Sequence, residues 1–292
     1  MMKTKYIIPI FLFFAFIMNS CDKVSQPFVE QVDLCDGNKK VLIEDYTGHG
    51  CVNCPGAAVL AHDLNEELCA TEDKLVIIGV HAGYFAQPNF EEDVYGPLFS
   101  ADFLTEAGNA WDTYFGNSAM GNPNGLVDRV KGDNGYVLYP DSWGGVAAER
   151  LAEAAKVNIT INNDFDTDTK ELITMINTEF ISSVTGNYKL IVCVTQNNII
   201  APQKNNDDQI GPKPVDSTYV HNHVLRGSLN GAWGENVSAS GEVEVGTKYE
   251  KSYVHTFPTD WIPEDCQIVA FVYNEESKEV YQVEEVTVID KD

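Results

Sequence analysis

Positive charge is scarce in this chain. Its 292 residues hold 19 Lys and Arg against 44 Asp and Glu, a net charge of −25. A surface of that sign repels phosphate backbones and anionic headgroups, so nucleic acid is not an expected partner, and membrane contact is expected through an anchor only. Long apolar runs are absent too. The longest, Ile7 to Met18 apart from Pro9, has 12 residues, against the roughly 20 that a spanning helix needs. There is no second Cys-x-x-Cys to complete a zinc site around Cys51 and Cys54. Glycine-rich segments lack the Lys-Ser or Lys-Thr of a phosphate loop, and no Ser-His-Asp order is visible. Neither a metal nor a cofactor is expected.

What is present describes an exported globular protein. Hydrophobic residues make up 44% and aromatics 11%, enough for two domains of ordinary size with their own cores. Lys3 and Lys5 precede the short apolar run, the pattern of a signal peptide over residues 1–20. Met18-Asn19-Ser20-Cys21 follows. It resembles the bacterial lipobox, which implies acylation (a palmitate-type chain) at Cys21 and an outer-membrane, lipid-anchored address facing the periplasm or the outside. Residues 21–38 are polar and aperiodic and read as a tether.

Two textures follow. Residues 39–156 alternate strand and helix signals. Val41–Tyr46 and Leu75–His81 are continuous apolar runs of the kind buried on both faces of a parallel sheet. Pro55–Leu68 has helical spacing, with Pro55 in its first turn. Helices are also expected around Phe103–Phe115 and Gly144–Lys156, and a strand over Gly125–Val130. Residues 157–292 carry short strands separated by Gly, Asn and Pro, with a long loop over Asn197–Tyr219, the pattern of an antiparallel sandwich. The expected fold is thus an α/β N-terminal domain followed by an all-β, immunoglobulin-like sandwich.

The chemistry centres on Cys51-Val52-Asn53-Cys54-Pro55. A strand feeds a turn that opens a helix at the cysteines. The free N–H groups and positive dipole end there stabilise a thiolate at Cys51, the attacking species in disulfide exchange. Cys54, one turn on, can resolve the mixed disulfide. The same pair can instead be a structural disulfide. Setting Cys21 aside, six cysteines remain in an oxidising compartment, so Cys35 with Cys69 and Cys193 with Cys266 are further candidate pairs.

Asp45-Tyr46, six positions before Cys51, and Pro123 ahead of a late strand resemble the thioredoxin superfamily. That resemblance implies a proton-transfer role for Asp45 and a substrate-positioning cis-proline at Pro123. Gly50 and Pro55 depart from the family's usual Trp and basic residue. More segments, among them Val80-His81-Ala82-Gly83, Pro123 to Arg129, Val220 to Gly227 and Trp233-Gly234-Glu235, together resemble the outer-membrane lipoprotein family named for a twenty-eight-kilodalton member. That resemblance implies a cell-envelope surface protein, adhesin or receptor.

Other residues invite weaker readings. His221-x-His223 on a strand would share one face and, with His81 and Arg226, form a ligand rim. Asp164-x-Asp166-x-Asp168 starts like a calcium loop, but Thr169 stands where Gly is needed and Met175 where Glu is needed. Two functions follow. One is thiol–disulfide exchange on exported proteins, with Cys51, Cys54, Asp45 and Pro123 as its machinery. The other is a non-enzymatic surface lipoprotein that binds an unknown ligand and holds Cys51–Cys54 as a staple.

Overall fold

The structure, a computed structural model, describes residues 35, 37–69, 73–89, 94, 97–238 and 241–289. The expected signal peptide, Cys21 and nearly all of the tether lie outside the described residues.

Strand β1 (Val41–Thr47) leads through the cysteine turn into helix α1 (Cys54–Leu68), then strand β2 (Leu75–His81). Helix α2 (Glu106–Phe115), the short helix α3 (Asn117–Met120), strand β3 (Asn124–Val127) and helix α4 (Pro140–Leu151) complete the first half. Thr105 caps α2 by accepting the Gly108 N–H at 2.9 Å, and Gly116 ends it at φ 80°. The second half has long strands β4 (Val157–Asp166), β5 (Glu171–Phe180), β6 (Tyr188–Gln196), β7 (Val224–Ser228), β8 (Lys248–Thr256), β9 (Cys266–Asn274) and β10 (Val280–Thr287).

One mixed eight-stranded sheet draws strands from both halves, in the order β10-β9-β6-β7-β2-β1-β3, with Glu235–Asn236 pairing beside β6. The seam is β7 on β2: Val224 pairs in parallel with Gly79, whose N–H donates to the His223 carbonyl at 2.7 Å. A Cβ on Gly79 would lie 3.3 Å from that carbonyl oxygen, so the bare backbone permits the approach. This overturns the expected fold class. The chain is β-rich and built on a shared mixed sheet, and neither a thioredoxin-like α/β domain nor an immunoglobulin-like sandwich describes it. The physical reason is a non-local strand addition: β7 covers the β2 edge with a segment almost 150 residues away in sequence.

Pleat parity then sorts the core. Ile43, Ile77 and Val127 face α1 and α4 and meet Ala61, Leu64, Trp143 and Ala147. Farther along the same sheet, Leu190, Val192, Ile268 and Ala270 meet the inner faces of the separate three-stranded sheet β8-β5-β4. The opposite face is covered by α2, whose Ala107, Trp111 and Phe115 bridge Tyr46 and Ile78 to Ile191, Phe271 and Tyr273. Parity also corrects one cysteine pairing. Cys193 stands opposite Val269 and Cys266 opposite Gln196, three positions apart on neighbouring strands. Their side chains enter different cores on opposite faces, and both are free buried thiols. Cys35 joins Cys69, and Cys51 joins Cys54.

The residue runs expected as Leu172–Phe180 strand and Pro55–Leu68 helix are close to those observed. The long loop expected over Asn197–Tyr219 instead contains two-residue pairings of Gln203–Lys204 with Val215–Asp216, and Ile199–Ile200 reaches on to Val220–His221. The acidic stretch at Asp164–Asp168 ends β4 in a turn, where Asp166 accepts the Asp168 and Thr169 N–H groups at 2.8 and 3.0 Å.

A fully buried ion pair sits against α2. Arg129 donates from Nε and Nη2 to the two Glu44 oxygens, each at 2.7 Å, and both residues are 0% exposed. The guanidinium lies 4.9 Å from the Trp111 ring centre and 5.0 Å from that of Phe271. Removing one partner strands a charge in a dry core. Arg129→Met is therefore expected to lower the unfolding free energy by about 3–5 kcal/mol, measured by urea titration. Adding Glu44→Leu to it recovers most of that loss.

Candidate functional site

The cysteine turn is held from two sides. Gly50 donates its N–H to Phe85 O at 2.9 Å, and a Cβ on Gly48 would fall 2.5–2.6 Å from the Phe85–Ala86 backbone. From the other side comes the segment 201–223, a strap from the second half of the chain. Gln203 Nε2 donates to Cys51 O at 2.9 Å and to Gly48 O at 3.3 Å. Lys204 N–H donates to His49 O at 2.8 Å, and Asn206 N–H to Val52 O at 3.0 Å. Four carbonyls of the turn, those of Gly48, His49, Cys51 and Val52, thus meet the strap. Under it, Cys51 is 3% and Cys54 2% exposed.

The strap stiffens itself. Asn205 Nδ2 donates to the Asp207 and Gly211 carbonyls at 2.8 and 2.9 Å, and the Asn205 N–H reaches Pro214 O at 3.0 Å. Asp216 Oδ1 accepts the Thr218 N–H at 2.9 Å and its hydroxyl at 3.0 Å.

Between α1, the carboxyl ends of β1 and β2, and the strap lies a cavity of about 390 Å³. Cys54, Pro55, Val59 and His62 form the α1 wall; Asp45, Ile77 and His81 form the sheet floor; Ile210, Tyr219, His221 and His223 form the strap wall. Asp45 is 4% exposed, and its Oδ1 has no hydrogen-bond partner. Burial alone pushes its carboxyl up to about 7. Burial, then the neighbouring His221, holds His81 neutral, well below the usual histidine range. Burial also lowers His221 and His223 to about 4 each. His221 Nε2 and His223 Nδ1 lack partners. Tyr219 is pushed up to about 12, first by burial and then by the Asp45 charge.

The expected site residues thus part company. Cys54, Asp45, His81, His221 and His223 line one cavity, and Cys51 adjoins it through the disulfide. His221 and His223 do not ride one strand: His223 turns the chain at φ 56° between the Val220–His221 pairing and β7. Arg226 is not part of this rim. It lies beyond the seam, 4.9 Å from the Trp261 ring centre and 3.6 Å from Asp260 Oδ2. Pro123, behind a cis peptide bond to Asn122, leads into β3 and is not among the cavity's lining residues. Gln203, Tyr219 and Asp216 were missed, because nothing in an Asn- and Asp-rich stretch announces that it will lie across a turn 150 residues earlier. Among the described residues, no group of three or more His, Cys, Asp or Glu is placed to hold a metal ion. Among them too, no helix is long and apolar enough to cross a membrane.

A β-rich scaffold with a strapped disulfide beside a semi-enclosed cavity defines a stapled, cavity-bearing protein. The chain belongs to the family of outer membrane protein Omp28, whose sequence model matches residues 108–291, more than half of it. It is therefore a cell-envelope protein associated with the outer membrane. No curated protein matches it. In fold it is similar to HBP35 of Porphyromonas gingivalis, with a TM-score of 0.62 and 16% identity over 86% of this chain and 76% of that one. That likeness runs through both halves together, in line with the shared sheet and against the expected thioredoxin-like and immunoglobulin-like pair. A domain of the outer membrane lipoprotein Omp28 from the same organism matches at 25% identity over 48% of this chain and 93% of that one, with a TM-score of 0.30.

The Asp45 environment sets a pH signature. An unfolded aspartate titrates near about 3.9, and the folded carboxyl keeps its proton up to about 7. Its contribution is whole below about 4 and lost as pH rises through about 7. The buried histidines act in the opposite sense, losing stability as pH falls from about 6.5 toward the value of about 4 held by His221. Asp45→Asn is expected to gain about 2 kcal/mol over the wild type between pH 5 and pH 8, measured by denaturant unfolding at both.

Proposed function

We propose that the chain is a non-enzymatic, lipid-anchored binding protein of the outer membrane, in which Cys51–Cys54 is a locked staple and the cavity beside it seats a ligand. The strap carries this reading. Disulfide exchange needs in-line access of a thiolate to one sulfur, whereas Cys51 and Cys54 are both almost fully buried and residues 203–206 hydrogen-bond to the backbone of the turn that holds them. A structural role follows directly: the disulfide fixes the turn whose carbonyls receive the strap, and the strap walls the cavity. The anchor rests on Cys21, placed directly after a short apolar signal run. Cys21→Ser is expected to release the protein from the membrane fraction into the soluble one, read by fractionation and by loss of fatty-acid label.

A second reading, thiol–disulfide exchange on exported proteins, is favoured by one observation. Cys54 opens α1 and shares its cavity with the buried Asp45 carboxyl, an arrangement that can take up a proton as a disulfide closes. The two readings part on access. Under the staple reading, native Cys51 is alkylated after mild reduction at least about 100-fold more slowly than in the unfolded chain, and the couple lies below about −300 mV. Gln203→Ala, which removes the two side-chain bonds to the turn, speeds alkylation. Rapid labelling of native Cys51 at a potential near those of oxidoreductases would sink the staple reading and establish exchange.

A further inference from the structure

We propose that the cavity beside the disulfide binds a small organic cation, with an alkylammonium head on the Asp45 carboxylate and its hydrocarbon body against α1. This names the ligand class for the cavity and so rests on the binding reading given above.

The first argument is the isolation of Asp45. It sits on β1 between Gly79 on β2 and Gly125 on β3, so both cross-strand neighbours lack side chains. Its Oδ1 is buried without a partner. Buried polar atoms are normally satisfied, and one that is not marks a place for something else. The other lining carboxylate, Asp216, is occupied by the Thr218 N–H and hydroxyl. Asp45 is therefore the carboxylate left for a guest.

The second argument is charge. No lysine or arginine lines the cavity. The arginines of the fold are engaged elsewhere: Arg129 with Glu44, Arg150 with Asp128 and Arg226 with Asp260. An anionic guest would enter a low-dielectric space that holds carboxylates and no counter-charge, which is costly. A neutral guest leaves Asp45 to keep its proton. A cation supplies the one interaction that the site lacks, a charge-assisted hydrogen bond to a carboxyl group that folding has already taken out of water.

Ring placement is the third. Tyr219 and His221 meet edge to face at 4.8 Å between ring centres, and His81 lies 5.6 Å from His221. With both histidines held neutral by burial, these rings line the cavity without adding a competing positive charge. Opposite them, Pro55, Ala58, Val59 and Ile77 present an apolar wall suited to a hydrocarbon body. A space of about 390 Å³ accepts a guest of six to ten heavy atoms in order of magnitude. A metal cation is a poorer fit, since no third donor of the required type joins the group among the described residues.

The test uses the full chain released from its anchor by Cys21→Ser and three ring compounds of one shape: cyclohexylammonium, cyclohexanol and cyclohexanecarboxylate, titrated at pH 8 and followed by NMR. Cyclohexylammonium is expected to bind about tenfold or more tightly than the alcohol, with no binding of the carboxylate. Asp45→Asn is expected to reduce ammonium affinity to the level of the alcohol and to leave the alcohol's affinity unchanged. In the wild type, saturating ammonium should move the Asp45 carboxyl titration downward by a unit or more in order of magnitude, a readout that needs no variant to fold. Equal affinity for ammonium and alcohol, preference for the carboxylate, absence of ammonium binding, or an unmoved Asp45 titration overturns the proposal. Alkylation of Cys51 in the same samples separates the two claims. Rapid exchange together with ammonium preference defeats the staple and leaves the cation site standing.

Discussion

A charge buried where it cannot be left alone organises this fold. Arg129 is fully enclosed, gripped by both oxygens of Glu44 and surrounded by the rings of Trp111, Phe115, Phe271 and Tyr273. Glu44 belongs to β1, Trp111 and Phe115 to α2, and Phe271 and Tyr273 to β9, so one ion pair ties the two halves of the chain around a common helix. Its neighbour Asp128 does the same on the other side. Asp128 accepts Lys39 Nζ at 2.7 Å, Arg150 Nε at 3.1 Å and the Leu42 N–H at 2.9 Å, while its carbonyl receives the Val280 N–H at 2.8 Å. Both residues hold left-handed backbone, at φ 46° and 51°, a conformation that β-carbon residues adopt at a cost. The cost is offset by the buried bonds that both side chains make from this turn, Arg129 to Glu44 and Asp128 to Lys39, Arg150 and the Leu42 N–H.

With the halves joined there, the seam between β2 and β7 can be closed by a single parallel bridge. Gly79 is its contact point, and the strap continues directly from it: His223 ends the strap and Val224 begins the strand. The position of the strap over Cys51 and Cys54 is therefore inherited from the sheet. Buried apolar surface on both faces supplies the driving force, and the ion pairs set which strands may lie together.

Much of the local structure was legible. β1, α1 and β2 announce themselves by unbroken apolar runs and by Pro55 at a helix start, signals that extend only a few residues. The cysteine turn, the helix that opens at Cys54 and the burial of Asp45 could be anticipated for the same reason. What was hidden is non-local. No periodicity within 41–81 reveals that β2 needs a neighbour from residue 224, so the chain read as two unlike folds in series. Cys193 and Cys266 are candidate partners on an even cysteine count and a shared half of the chain, but a three-residue offset between adjacent strands puts their thiols on opposite faces. His221 and His223 looked like a pair on one strand, and the left-handed turn at His223 separates their backbones while burial still brings both side chains to the cavity. Arg226, three residues on, is carried past the seam to Trp261.

On the proposed reading, the strap makes locking and binding two consequences of one element. Its residue Gln203 holds the turn of the disulfide, and its residues Tyr219 and His221 wall the cavity. A motion large enough to expose the sulfurs would also withdraw those rings from Asp45 and break the hydrogen bonds of 203–206. Any ligand that prefers the closed cavity must then stabilise the covered disulfide by the same free energy with which the strap favours the ligand, since the coupling is reciprocal. A bound guest and a reactive Cys51 are on this argument mutually opposed states, so occupancy of the cavity and reducibility of the disulfide should move in opposite directions in any condition that changes either.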